Sequence, residues 1–144
     1  MKRILFLCFF LCVGFLSAQD WMSNYDEAVA KAEKENKPIL LVFSGSDWCG
    51  PCIKMDAKIW KSTEFITYSK ENLILYKADF PQKKANQLSK EIKLTNGKLA
   101  EKYNRSGFFP LVIILDSKQK LLGKTAYKKL SPKKYIAHLS TFVE

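Results

Sequence analysis

The chain has 144 residues, a length that suits one domain with a single adequate core. Its 47% hydrophobic and 26% charged residues are the balance of an ordinary globular protein. Lys and Arg exceed Asp and Glu by ten (24 minus 14), a charge that steers a protein toward acidic partners or membrane surfaces. The lysines are scattered, as in Lys83-Lys84, Lys128-Lys129 and Lys133-Lys134, and not interleaved with aromatics on one stripe. They read as a solvated surface, and no motif supports a nucleic-acid partner.

The first informative segment is the N-terminus. Lys2 and Arg3 precede an apolar run from Ile4 to Leu16, and Ser17-Ala18-Gln19 follows. That is the three-part layout of a secretory signal peptide, expected to be cut after Ala18 or Gln19. The run is shorter than the ~20 residues that span a bilayer, so a retained anchor is not expected. Lipid attachment at Cys12 is also not expected, because Leu11 before it is not small. Residues 1–19 are thus read as a signal peptide and 20–144 as the domain, in a periplasmic or secreted protein. Cleavage removes Lys2, Arg3, Cys8 and Cys12, which leaves a charge of +8 (22 minus 14) and only Cys49 and Cys52. An exported protein that keeps one close cysteine pair does not use disulfides as staples. The pair is there for its chemistry.

Tyr25 to Asn36 has one apolar helix face (Tyr25, Ala28, Val29, Ala32), with Asn24 as N-cap, Glu27 three residues on and Pro38 just beyond its end. Residues 38–44 read as a short buried strand. The helix opened by the cysteine motif is expected to break near Trp60-Lys61-Ser62, and Ser62 to cap a second helix from Thr63 to Glu71. Leu73–Asp79 is the next strand. The stretch from Gln82 to Lys93 allows one amphipathic helix through Ala85, Leu88 and Ile92, ended by a turn at Thr95-Asn96-Gly97, with a short helical turn at Leu99–Tyr103. Leu111–Asp116 is the most hydrophobic strand, and Ser117-Lys118-Gln119 turns it into Lys120–Thr125. Ser131 and Pro132 open a last helix whose apolar face is Tyr135, Ile136, Leu139, Phe142 and Val143. This order packs as an α/β open sheet with helices on both faces. Strands separated by helices are expected to pair in parallel, and the final hairpin must be antiparallel.

Chemistry concentrates at Ser44-Gly45-Ser46-Asp47-Trp48-Cys49-Gly50-Pro51-Cys52. Two cysteines at this spacing can close and reopen a small disulfide ring without moving the fold. At a strand-to-helix junction the first thiol meets free N–H groups and the positive end of the helix dipole. Both lower its pKa, into roughly the 3.5–7.5 range of activated cysteines. Zinc needs about four ligands, and one pair with the lone His138 does not supply them; Ile53 after the second cysteine excludes haem attachment. No metal and no cofactor are expected. Trp21, Trp60 and the other aromatics read as packing, whereas Trp48, beside the thiol on a loop, reads as substrate-facing.

Trp48-Cys49-Gly50-Pro51-Cys52 after a buried strand resembles the active site of the thioredoxin family. So does Leu99–Tyr103 followed by Gly107 and Phe109-Pro110-Leu111-Val112-Ile113. Lys77-Ala78-Asp79 and Leu122-Gly123 match more weakly, and the resemblance runs from about Tyr25 to Val143. It implies a thioredoxin fold, a central mixed sheet flanked by helices. It implies Cys49 as attacking thiolate, Cys52 as resolving thiol and Pro110 in cis opposite the sulfurs. Trp48, Gly50, Pro51, Phe109 and Pro110 would then face the substrate. The family often has a buried carboxylate six residues before the first cysteine; here that position is Phe43. The proton of Cys52 must then leave through water, Asp47 or another group, and Asp47 is read as a loop carboxylate and not a dedicated base.

The expected function is reduction of disulfides in exported proteins by a monomer, recharged by a membrane electron donor. Gly-Pro between the cysteines is typical of the family's reducing members. Two alternatives stand beside it: an oxidase or isomerase of exported proteins, and a non-catalytic module holding peptides in the cis-proline groove.

Overall fold

The computed structural model describes residues 20–143; the expected signal peptide, residues 1–19, lies outside the described residues. The strand that leads to the cysteines, β2 (Ile39–Ser44), is buried at every position. That is why it reads as an unbroken apolar run and not as an alternation. Its neighbours are β3 (Ile74–Asp79), which runs parallel to it, and β4 (Leu111–Leu115), which runs antiparallel. A two-residue β1 (Trp21–Met22) pairs parallel with β3, and β5 (Leu121–Ala126) pairs antiparallel with β4. The sheet order is β1-β3-β2-β4-β5.

Successive side chains of a strand point to opposite faces, so β2 feeds two cores. Ile39, Leu41 and Phe43 pack with Tyr25, Ala28 and Ala32 of α1 (Tyr25–Glu35) and Leu99 of α4 (Lys90–Tyr103). Leu40 and Val42 pack on the other face. There they meet Met55 of α2 (Gly50–Met55), Ile59 and Trp60 of the π-helical turn Asp56–Trp60, Phe65 of α3 (Thr63–Asn72), and Tyr135 and Leu139 of α5 (Pro132–Ser140). Helices therefore cover both faces, as the sequence implies.

Helix starts follow local chemistry. Asn24 accepts from the Asp26 and Glu27 N–H groups, Ser62 from Phe65 and Ser131 from Lys134. The cysteine helix ends at Trp60, in a π-helical turn.

Three expectations need correction. Parallel pairing holds for β3 with β2 and with β1, but β4 pairs antiparallel with β2. The chain leaving β3 re-enters the sheet at the end where β2 finishes, with Leu111 opposite Phe43, so β4 runs the other way. The helix expected over Gln82–Lys93 starts only at Lys90, with Ser89 as N-cap; Ala85 lies instead in a 3-10 turn, Lys84–Asn86. The turn expected at Thr95-Asn96-Gly97 lies inside α4. Asn96 is buried there, accepting from the Tyr76 hydroxyl (2.8 Å) and donating to the Asp79 carbonyl (3.0 Å). These tertiary bonds outweigh its preference for turns.

Gly97 is a different case, because a Cβ there would meet nothing within 4 Å. Glycine costs a helix interior about 1 kcal/mol relative to alanine. Gly97→Ala is expected to raise stability by about 0.5–1 kcal/mol, seen as a higher urea midpoint with unchanged slope. An unchanged midpoint would mean that α4 is not regular helix at this position in solution.

Candidate active site

The loop between β2 and α2 is shaped around one indole. A Cβ on Gly45 would lie 2.3 Å from the Trp48 ring, so only glycine allows this fold-back. The Trp48 indole donates from Nε1 to the Phe80 carbonyl (2.7 Å). Its ring meets Phe109 edge-on at 5.5 Å between centroids, and Phe109 meets Phe80 at 5.6 Å. The Phe109–Pro110 peptide bond is cis. Asn104 fixes the loop before it, accepting from the Phe108 N–H and donating to the Phe108 carbonyl, both at 2.9 Å.

Cys49 is the N-cap of α2, and its Sγ accepts the Cys52 N–H at 3.3 Å. An N-cap acceptor sits where unpaired N–H groups converge, so a negative charge on this sulfur is favoured. Cys52 lies in the first turn and is joined to Cys49 by a disulfide. Both cysteines are buried, whereas Gly50, Pro51 and Trp48 are exposed around them. Trp48, the two cysteines and Phe109 thus come together at one end of the sheet, with Gly50 and Pro51 at the helix start.

Four residues hold this site through contacts that carry no signal in the sequence, although Asp79 belongs to one of the weaker family matches. Asp79, at the end of β3, accepts from the Ser46 N–H (2.9 Å) and hydroxyl (2.5 Å) and pins the loop. Phe80 and Asn104 act as described above. Asp56 is the fourth. Its carboxylate bonds Lys77 on one oxygen (2.7 Å) and Lys61 on the other (2.6 Å). These three residues, with Ser44 and Cys52, line a cleft of about 270 Å³. Phe43 does not, since it points into the layer beneath α1 and α4. The Lys77–Asp56 pairing across the fold, 21 residues apart, carries no local signal.

Burial alone would raise the Asp56 pKa, but the ammonium groups of Lys61 and Lys77 outweigh it and hold the carboxyl below its ordinary value. A carboxylate whose folded pKa is depressed contributes stability that is fully present above its unfolded value, near ~3.9, and lost as pH falls through the folded one. Asp56→Asn leaves half-buried Lys77 without its counter-charge. It is expected to cost about 1–3 kcal/mol at pH 7, and the gap from the parent should narrow below about pH 4. Urea denaturation at the two pH values reads it, and a gap that widens in acid would contradict the pairing.

Asp47 points elsewhere. Its oxygens accept from the N–H groups of Gln82 (2.9 Å) and Lys83 (3.0 Å) and from the Asn86 amide (2.9 Å). The Gln82 N–H contributes most to holding its pKa below the ordinary carboxylate value. With both oxygens occupied, the carboxylate is a clamp for the 82–89 segment. Asp47→Asn is expected to speed amide exchange at Gln82 and Lys83 by about tenfold. Disulfide reduction across pH 6–9 should change less than about threefold; a hundredfold loss would make Asp47 a proton acceptor after all.

Residues 20–117 match a family model described as thioredoxin-like. The disulfide bond reductase DsbH of Chlamydia pneumoniae is 34% identical over 118 residues, 82% of this chain and 69% of that protein. A solved structure titled DsbH oxidoreductase is similar with a TM-score of 0.79 and 32% identity, over 85% of this chain and 83% of that one. The disulphide isomerase of Xylella fastidiosa Temecula1 shares the fold, with a TM-score of 0.63 at 20% identity over 83% and 88% of the two chains. A cysteine pair on this fold, closed as a disulfide with Cys49 capping the helix it opens, agrees with those matches: the chain belongs to the thioredoxin-like family, as a thiol–disulfide oxidoreductase.

Proposed function

We propose that this oxidoreductase is exported and works in the reducing direction on disulfides of other exported proteins. The observation that carries the proposal is Cys49 at the N-cap of α2, accepting the Cys52 N–H beside the exposed Trp48 ring. In the reduced protein the Cys49 thiolate attacks a substrate disulfide, and one substrate sulfur leaves as a thiolate. Cys52 then gives up its proton and attacks the Cys49 sulfur. The second substrate sulfur leaves, the substrate is reduced by two electrons, and Cys49–Cys52 closes. The proton of Cys52 passes into the cleft it shares with Ser44, Asp56 and Lys77. Trp48, Gly50, Pro51, Phe109 and Pro110 form the surface that receives the substrate chain.

Direction is supported by Gly-Pro between the cysteines and by the name of the related reductase. Export is supported by the Lys2–Gln19 pattern. In an oxidising compartment the dithiol must be regenerated, so a membrane electron donor is part of the proposal, and the protein acts as a monomer. Equilibration with glutathione tests direction: a potential more negative than about −180 mV is expected, and a less negative one assigns the oxidase or isomerase role. Intact mass of the exported form tests the leader, with Gln19 or Asp20 as the expected first residue.

A further inference from the structure

Beside the cysteine ring, a groove of about 810 Å³ runs between α2 and the segment joining β5 to α5. Lys54 and Lys58 stand on one wall, Lys129 on the other, and Pro51, Tyr127 and Leu130 complete the apolar part. Tyr127 and Leu130 pack onto the core around Trp60 and Tyr135, which makes that wall firm. No carboxylate among the described residues lines the groove. Among the described residues, none of the three ammonium groups is in a salt bridge; the lysines that are paired are Lys37, Lys61 and Lys77. Three like charges facing one space repel each other, and an anionic occupant relieves that repulsion. The groove also ends at Ser131 and Pro132, where α5 begins with its positive dipole end.

We propose that this groove docks an acidic segment of the substrate polypeptide, close in sequence to the disulfide being reduced. The inference rests on the oxidoreductase reading of Cys49 and Cys52 and adds substrate choice to it. Pro51 belongs both to the cysteine ring and to the groove, so the groove opens within two residues of the sulfur that a substrate chain would bond. The concave shape suits a peptide better than a flat lipid surface: its Asp and Glu side chains meet the three lysines, and apolar side chains between them meet Tyr127 and Leu130. The overall positive charge adds long-range attraction for the same partners.

The test compares two peptides, each with one internal disulfide and identical except for flanking Asp/Glu or flanking Lys. Bis(2-hydroxyethyl) disulfide, small and uncharged, is assayed first with the native protein. If it is not reduced, the oxidoreductase reading fails independently of the groove. Given that turnover, the acidic peptide is expected to react about 10–100 times faster than the basic one at low salt, with the ratio falling toward one as salt rises. The K54E/K58E/K129E variant is expected to invert the preference. K34E/K118E/K120E makes the same change in net charge at the opposite end of the sheet and should retain it. If charge reversal prevents folding, K54Q/K58Q/K129Q carries the test, with a ratio near one expected. A ratio unmoved by the groove variants overturns the proposal, and so does an equal shift in both triple-Glu variants. Loss of binding to phosphatidylglycerol vesicles with the peptide ratio unchanged would also overturn it, assigning the groove to a membrane surface.

Discussion

Cys52→Ala is expected to convert the protein into a covalent trap. Cys49 keeps its N-cap position in that variant, so the first exchange with a substrate disulfide still occurs. The group that would release the product is gone, and the mixed disulfide accumulates at one equivalent. Cys49→Ser removes the first exchange as well, and turnover of a protein disulfide should fall by at least about 10³-fold. The two variants together separate capture from release. Non-reducing gels and mass spectrometry read the trapped adduct, and an insulin-reduction assay reads turnover. Equal adduct formation with both variants would show that Cys49 is not the entry point. Unchanged turnover in Cys49→Ser would leave only a peptide-binding role.

The second large effect is on stability, at the position where the family often has an acid. Phe43 is fully buried between β2 and the α1–α4 layer, among Tyr25, Leu41, Tyr76, Ala78 and Leu111. Phe43→Asp removes a large apolar side chain and puts a carboxyl among apolar neighbours. The lost packing alone is worth about 3–5 kcal/mol, and an unpaired buried charge adds to it. A total of at least about 4 kcal/mol is expected, a large share of the roughly 5–15 kcal/mol that holds a domain folded. Phe43→Leu, which keeps the apolar character, should cost no more than about 2 kcal/mol. Urea denaturation of the reduced proteins decides. An Asp variant as stable as the Leu variant would mean that a polar partner reaches position 43. The expected loss would show that restoring the acid is not a simple graft, because the charged groups beside Cys52 lie across the sheet from this layer.

What could be read in advance was what is decided locally. Asn24, Ser62 and Ser131 announce helix starts because their side chains satisfy N–H groups two or three residues away. The strands are visible because β2 and β4 are apolar through nearly their whole length. The cysteine pair is visible because its chemistry depends on spacing within one turn. What escaped was decided at long range. Asn96 and Gly97 look like a turn until Tyr76 and the Asp79 carbonyl are beside Asn96. Asp56 looks like one more surface acid until Lys77, 21 residues on, meets it in the Cys52 cleft. β1 is two residues long, too short for any periodicity, and exists by pairing with β3.

The bonds from Asp47 to Gln82, Lys83 and Asn86 give residues 82–89 an anchor on the far side of a 35-residue gap in the chain. That segment and the loop carrying Trp48 and Cys49 therefore form one modular unit encoded in two pieces. In transplants between relatives, the segment travels intact only with a carboxylate at position 47. A chimera that carries 82–89 alone brings two unmatched N–H donors to the rim of the redox centre, and one that carries Asp47 alone brings an unclaimed charge next to Trp48. The natural unit of exchange is the anchor and the loop together.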